Sequence, residues 1–267
     1  MNRSLAALAL LLLAPATAEA RRPAPKPPAS LGMVSAADPR AAAAGAEILR
    51  KGGSATDAAI ATMLALNVVE PQNSGIGGGS FMVHHDAATD RTTGLDGREA
   101  APAAADPKWF YGADGKPLPI FTAIPGGRSV GVPGNLRMMA LAHQRYGKLP
   151  WATLFGPAIR LARDGFAITP RLHNGLNNFG RHLDPWARAH FLGDDGKALP
   201  VGTILKNPEQ AALFSAIAAK GPDAYYTGAV AQKIVAAVNG AAQNPSKMTL
   251  ADLASYRAKE RAPICGT

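Results

Sequence analysis

The chain has 267 residues, of which 47% are hydrophobic, so it can bury a substantial core within one large domain. Its formal net charge is +9, but the basic residues are scattered and no basic stripe alternates with aromatic side chains, which argues against nucleic acid as a partner. The single cysteine, Cys265, excludes an internal disulfide and is expected to be a structural thiol.

Residues 1–20 have the organisation of a secretory signal peptide. An apolar run at 5–13 follows a basic residue, and the small side chains of Ala18 and Ala20 fit two alternative cleavage sites. The run is shorter than the ~20 apolar residues that a membrane span requires. We therefore expect a periplasmic or secreted chain without a membrane span, with a flexible Pro-rich leader at 21–32.

Two Ala-rich helices are predicted next. Asp38 can cap the first helix, with Pro39 at its first helical position, and a glycine pair ends it. Ser54 and Asp57 form a capping pair for the second helix, which reaches Val69. The small faces of both helices predict that they pack closely on each other or on a sheet.

The chain is organised around residues 67–83, NVVEPQNSGIGGGSFMV. The second helix ends here because Pro71 lacks an amide hydrogen and disfavours the helical conformation of the residue before it. The run contains Gly75, Gly77, Gly78 and Gly79, which permit positive φ and close approach of other backbone. Phosphate-binding loops lead from a strand into a helix, whereas here the order is reversed, and Ser80 breaks the GxGxxG pattern. A tight, buried backbone crossing is therefore favoured over nucleotide binding.

Residues 81–85 and 92–96 are predicted to form the two strands of a hairpin. His84 and His85 are neighbours on the first strand, so their side chains point to opposite faces and cannot chelate one metal ion. The sequence contains neither HExxH nor CxxC. No metal site is predicted.

The second strand leads into DGREAAP, residues 96–102, where Arg98 is the candidate binding group. A strand end beside a glycine-lined gap commonly presents such a group. The planar guanidinium can hold a carboxylate through two parallel hydrogen bonds. Alternatively, Arg98 makes an ion pair with a structural carboxylate near Glu99. The residues alone leave both possibilities open.

The rest of the sequence predicts mainly helices. They are expected at 135–145, 151–163, 208–220, 227–238 and 248–257, the last capped by Thr249. Residues 172–199 are rich in His, Asn, Gly and Arg and are predicted to be irregular surface structure. Helices thus greatly outnumber strands.

Six motifs, in this order, resemble the γ-glutamyltransferase family, whose members are also called glutathione hydrolases. They are EPQNSGIGGGSFM at 70–82, DGREAAP at 96–102, GVPG at 131–134, YGKLPWATLFGPAIRLARDGFAI at 146–168, GPDAYYTG at 221–228 and MTLADLASYRAKERAPI at 248–264. The resemblance implies an α+β fold, the αββα sandwich of N-terminal-nucleophile hydrolases. Residues 33–267 are expected to carry the helix-rich N-terminal part of the large subunit and only a few strands.

The resemblance also implies the chemistry. In this family the precursor cuts itself into a large and a small subunit, and the threonine freed at the new N-terminus attacks the γ-glutamyl amide of glutathione or related compounds. Water, an amino acid or a peptide then accepts the glutamyl group. Arg98 is implied to bind the α-carboxylate of the γ-glutamyl group, and Glu99 to contact Arg98 from behind without touching the substrate. No cofactor is implied.

The nucleophile and the small subunit, the expected partner, are missing from the sequence, which ends at Thr267. Thr92 and Thr93 lie within the strand that leads to Arg98, and Thr267 has no free α-amine. We therefore expect no catalytic residue in this chain and no activity of the chain alone. The alternatives are an inert remnant and a non-catalytic carboxylate-binding or docking module. A serine acyl enzyme is disfavoured because SxxK does not occur, and the glycine-rich segments at Ser54 and Ser80 each lack the final glycine of GxSxG.

Overall fold

The computed structural model describes residues 32–264 and Gly266. The predicted signal peptide at 1–20 and all of the predicted leader except Gly32 lie outside the described residues. So do Cys265 and Thr267. Within the described part of the chain, no helix is both long enough and apolar enough to cross a bilayer.

The described residues form helices and short strands. The α-helices are α1 Pro39–Arg50, α2 Ala55–Val69, α3 Ile120–Ala123, α4 Asn135–Tyr146, α5 Gly156–Asp164, α6 Pro170–Phe179, α7 Pro185–Phe191, α8 Pro208–Lys220, α9 Asp223–Tyr226, α10 Gly228–Asn239 and α11 Leu250–Ser255. The strands are β1 Ser80–Asp86, β2 Arg91–Gly97, β3 Phe166–Ala167, β4 Ile204–Leu205 and β5 Lys259–Arg261. Short 3₁₀ helices cover Gly127–Ser129, Trp151–Phe155 and Gly180–His182.

The first two helices begin as the sequence predicts. The Asp38 carboxylate accepts a hydrogen bond from the backbone N–H of Arg40, with Pro39 at the first helical position of α1. Ser54 and Asp57 form a reciprocal capping box at the start of α2. Helix α2 is apolar around most of its circumference and is buried on nearly all sides, so it is the central helix of the core.

The predicted hairpin is present, and a third strand extends it. Strands β1 and β2 pair antiparallel, from Ser80 opposite Gly97 to Asp86 opposite Arg91. Strand β5 pairs antiparallel with the other edge of β2, which gives the order β1-β2-β5. One face of this sheet packs on α4, where Leu95 is buried. The opposite face is exposed at β1.

The prediction of irregular structure at 172–199 is wrong. Helix α6 begins two residues earlier, capped by the Thr169 hydroxyl, and its Leu172 and Leu176 enter the core. Helix α7 is capped by the carboxylate of Asp184. In both helices a capping residue precedes a proline, the same signal that marks α1. The predicted helix at 151–163 starts as a 3₁₀ turn and becomes α-helical only at Gly156.

Asp57 ties the start of α2 to the loop that follows α4. Its Oδ2 accepts hydrogen bonds from the backbone N–H groups of Ser54, Lys148 and Leu149 at 2.9, 2.9 and 3.1 Å. The side chain is 0% exposed. Because water cannot replace these bonds in the folded state, Asp57 stabilises the packing of two elements that are distant in sequence.

We expect Asp57→Ala to lower the free energy of unfolding by about 3 kcal/mol, because it leaves three backbone donors without an acceptor in a buried site. Urea unfolding followed by circular dichroism measures this loss. Asp86→Ala is the control, since it removes an exposed carboxylate that also accepts a backbone N–H, and its effect should be much smaller. Equal losses in the two variants would contradict the role of Asp57.

Candidate functional site

The glycine run is held in place by the start of α4. The Asn135 side chain donates to the carbonyl of Gly75 at 2.9 Å and accepts from the Ser80 hydroxyl at 2.7 Å. The carbonyl of Gly78 accepts from the backbone N–H groups of Gly134 and Asn135 at 3.1 and 3.0 Å. These donors at the helix N-terminus are therefore occupied by the loop itself, which disfavours a phosphate cradle.

Three glycines, Gly79, Gly97 and Gly134, allow β1, β2 and α4 to meet. A Cβ on Gly79 would lie 2.6 Å from the carbonyl oxygen of Gly97 and 2.7 Å from the Cα of Arg98. A Cβ on Gly134 would overlap the same Gly97 oxygen. The predicted tight crossing is therefore present at Gly79, although the run is only half-buried. None of the run's four glycines has positive φ, so close approach, and not φ, requires glycine at position 79.

The backbone of Arg98 is fixed on both sides. Its N–H donates to Oδ1 of Asp96 at 2.9 Å, and its carbonyl accepts from the hydroxyl of Tyr256 at 2.5 Å. The other oxygen of Asp96 accepts from Nε of Arg261 at 2.6 Å. Residues from the α11–β5 segment thus hold the end of β2.

The environment at the end of β2 keeps Asp96 ionised and the Tyr256 hydroxyl neutral. The Arg98 N–H and the Arg261 guanidinium hold the pKa of Asp96 below its usual value, so this carboxylate stays charged and keeps both bonds at neutral pH. Burial raises the pKa of Tyr256, and the carboxylates of Asp96 and Glu99 raise it further. The Tyr256 hydroxyl is therefore a neutral hydrogen-bond donor.

The Arg98 side chain is much less constrained than its backbone. Its guanidinium lies 3.2 Å from Oε2 of Glu99, and the side chain is 55% exposed. The structure thus brings the two predicted site residues together, but an exposed pair at this distance contributes little. Among the described residues the guanidinium has no second partner, so most of its donors are available to a ligand.

Two open clefts meet at Arg98. One has a volume of about 610 Å³ and is lined by Asp96, Tyr256 and Lys259 among others. The second has a volume of about 550 Å³ and includes Gly77 in its lining. Arg98 and Glu99 border both clefts, so a small ligand can reach the guanidinium from either side.

The histidines of β1 have structural contacts. His84 stacks on the ring of Tyr146 at 3.7 Å between centroids, and the His85 ring lies 3.1 Å from the hydroxyl of Thr92. Across residues 32–264 and 266, no three His, Cys, Asp or Glu side chains are grouped so that they could hold a metal ion.

Reasoning from sequence predicted Arg98 and Glu99 as site residues and did not single out Tyr256 and Arg261, which bond the same strand end. The Tyr256 hydroxyl bonds a residue 158 positions earlier. No local pattern gives such a contact. The only signal in the sequence was their occurrence in the motif at 248–264, one of the six that carry the family resemblance.

The helix-rich α+β architecture is that of the N-terminal-nucleophile hydrolases, and the predicted fold class is confirmed. Residues 41–267 match the family model described as Gamma-glutamyltranspeptidase. The chain therefore belongs to the gamma-glutamyltranspeptidase family.

Individual relatives agree with this assignment. The chain is 37% identical to the glutathione hydrolase proenzyme of Bacillus subtilis (strain 168), over 99% of this chain and 46% of that protein. Two solved structures are similar. The gamma-glutamyltranspeptidase of Helicobacter pylori has a TM-score of 0.84 at 31% identity, covering 91% of this chain and 69% of that chain. That of Pseudomonas nitroreducens, complexed with L-DON, has a TM-score of 0.77 at 35% identity, covering 87% and 67%.

The chain spans about half the length, or less, of the curated relatives that it matches. The family and the fold are therefore established for this chain.

We expect Gly79→Ala to lower the free energy of unfolding by about 2 kcal/mol, because the new methyl group would overlap the backbone at the end of β2. Gly77→Ala is the matched control in the same loop, since its Cβ would meet only the Tyr225 hydroxyl at an ordinary 3.7 Å. Its effect should stay below about 1 kcal/mol. Urea unfolding of both variants provides the measurement, and equal losses would refute the close-approach argument.

Proposed function

We propose that the chain is the large-subunit part of an exported γ-glutamyltransferase, or glutathione hydrolase. The enzyme cleaves the γ-glutamyl amide of glutathione and related compounds and transfers the glutamyl group to water, amino acids or peptides. Family membership supports this activity, and the proenzyme name of the B. subtilis relative supports a precursor that is processed. The signal-peptide pattern at 1–20 supports a periplasmic or secreted location.

One observation carries the assignment of the substrate-binding residue: Arg98 combines a fixed backbone with a half-exposed, loosely paired guanidinium. This combination suits a group that must be positioned before the ligand arrives and must still have donors to offer. Arg98 binds the α-carboxylate of the γ-glutamyl group through its two-pronged fork. Glu99, at 3.2 Å, orients the guanidinium from the side.

The nucleophile comes from the small subunit. The hydroxyl of its N-terminal threonine attacks the γ-carbonyl carbon, and the α-amine of that threonine takes the hydroxyl proton. The amide C–N bond breaks, the leaving amine receives the proton, and the glutamyl group remains as an ester on the threonine. Water or an acceptor amine then attacks this ester and frees the hydroxyl. This chain contributes substrate binding and no catalytic group.

We expect Arg98→Ala, in the chain assembled with a small subunit, to lower kcat/KM for a γ-glutamyl anilide by roughly 30-fold to several thousandfold. That range corresponds to the roughly 2–5 kcal/mol lost when one partner of a desolvated charge pair is removed. Arg98→Lys should recover only part of the loss, because an ammonium keeps the charge and loses the fork. Release of the aniline provides the assay.

Self-cleavage of the precursor should continue in both variants, because that step involves no bound glutamyl group. Arg91→Ala, at the opposite end of β2, is the matched control and should keep parental activity. If Arg98→Ala is processed normally and stays within about threefold of the parent, Arg98 is a structural ion-pair residue. A complete assembly that turns over no γ-glutamyl compound would point to the binding-module alternative.

We also propose that the small subunit packs on the exposed face of the three-stranded sheet. Phe81 and Val83 lie on this face, 64% and 73% exposed, and β1 is an edge strand of the sheet. Exposed apolar side chains on the face of a sheet commonly mark a surface that binds another polypeptide. The backbone N–H and C=O groups at the edge of a sheet can pair with a further strand. Strands of the small subunit would cover both the edge and these side chains.

We expect Phe81→Ser to weaken association with the small subunit by about tenfold to a hundredfold, because a phenylalanine is no longer buried on assembly. The same change should reduce binding of a hydrophobic dye to the chain alone. Phe179→Ser, on α6, removes a phenylalanine that is equally exposed, at 65%, and is the control for both measurements. A larger effect at Phe179 would place the interface elsewhere.

A further inference from the structure

Tyr256 is the residue through which the α11–β5 segment reaches the candidate site. It follows directly on α11, and its hydroxyl donates to the carbonyl of Arg98 at 2.5 Å. Tyr256 and Arg98 also line the same cleft of about 610 Å³. A group from a distant part of the chain therefore contacts the backbone of the residue proposed to bind substrate.

The position of this hydroxyl is well determined. The Tyr256 ring stacks on the ring of Tyr226, with 6.4 Å between centroids and 10° between planes. Tyr226 is itself anchored, because its hydroxyl donates to the carbonyl of Pro133 at 2.9 Å and accepts from the N–H of Arg137 at 3.3 Å. A side chain on Gly134 would overlap the Tyr256 hydroxyl, so glycine leaves the space that this hydroxyl occupies.

The consequence for Arg98 is orientational. Asp96 fixes its N–H and Tyr256 fixes its carbonyl, so the peptide planes on both sides of its Cα are set. These planes determine the direction in which the side chain leaves the backbone. Among the described residues the guanidinium has no hydrogen bond or ion pair except the Glu99 contact, so this direction and Glu99 together determine where the guanidinium points. If the guanidinium is displaced by about 1 Å, much of the affinity gained from two parallel hydrogen bonds to the carboxylate is lost.

We propose that Tyr256 is a positioning residue that sets the enzyme's selectivity for substrates with an α-carboxylate. The inference rests on the proposed function, since it acts through Arg98. Burial raises the pKa of the Tyr256 hydroxyl, so it is a neutral hydrogen-bond donor to the carbonyl of Arg98. Tyr256 affects substrate binding only through the orientation of the Arg98 guanidinium.

The test compares two substrates on the same preparation of the chain assembled with a small subunit. One is a γ-glutamyl anilide, and the other is the 4-aminobutanoyl anilide, which differs only in lacking the α-carboxylate. The ratio of their kcat/KM values measures selectivity for the carboxylate. This ratio does not depend on the fraction of folded enzyme, so a loss of stability in a variant cannot mimic the effect.

Tyr256→Phe keeps the ring and removes the hydroxyl. We expect it to lower the selectivity ratio by about fivefold to tenfold, the range for one neutral hydrogen bond. The change should lie in KM for the γ-glutamyl anilide, with kcat and the kinetics of the 4-aminobutanoyl anilide unchanged. Tyr146→Phe removes a hydroxyl from α4, for which no hydrogen bond is present among the described residues, and should leave the ratio at its parental value.

The double variant Tyr256→Phe/Arg98→Ala distinguishes positioning from direct binding. If Tyr256 acts through Arg98, the double variant has the same ratio as Arg98→Ala alone. The inference is overturned by a Tyr256→Phe ratio within twofold of the parent, or by additive losses in the double variant. A parent enzyme without preference for the α-carboxylate, or without activity on either substrate, would instead overturn the proposed function, and the inference with it.

Discussion

The site depends on the close contact of three backbone segments at Gly79, Gly97 and Gly134. Side chains at these positions would occupy the volume in which the start of β1, the end of β2 and the start of α4 touch. Because the segments are in direct contact, their hydrogen bonds can be made between them instead of to water. The carbonyl of Gly78 accepts from the N–H groups of Gly134 and Asn135 at the start of α4, and β1, which begins two residues later, pairs with β2. Arg98 then leaves the sheet at a point fixed by packing.

At this contact the backbone of Arg98 is held by hydrogen bonds, whereas its side chain is only loosely held. The backbone of Arg98 is held by Asp96 and Tyr256, while its guanidinium stays half-exposed with one loose partner, Glu99. The division is physically sensible for ligand recognition. A backbone that is already ordered has no conformational entropy left to lose when a ligand binds. The N–H donors of the guanidinium that have no protein partner among the described residues remain available to a ligand. The Arg261–Asp96 pair adds to the backbone side of this division.

Sequence reasoning succeeded where the signal is local. The caps at Asp38, Ser54 and Thr249 and the hairpin at β1–β2 were all predicted. The six ordered motifs gave the family and fold class. What failed was either an overlooked local signal, as for α6 and α7, or a contact between distant residues. Strand β5 has three charged residues, Lys259–Arg261, and no alternation, so only its pairing with β2 makes it a strand.

The Tyr256–Arg98 bond has a consequence for biosynthesis. Its two residues are separated by 158 positions, so a ribosome that adds roughly 5–20 residues per second completes the arginine about 8–30 s before the tyrosine. During that interval the hairpin and the first helices can already fold, since their contacts are local. Until the later segment emerges, the carbonyl of Arg98 cannot accept its hydrogen bond from the hydroxyl of Tyr256. The backbone of Arg98 therefore reaches its full set of hydrogen bonds only after Tyr256 has been synthesised, well after the hairpin that carries it.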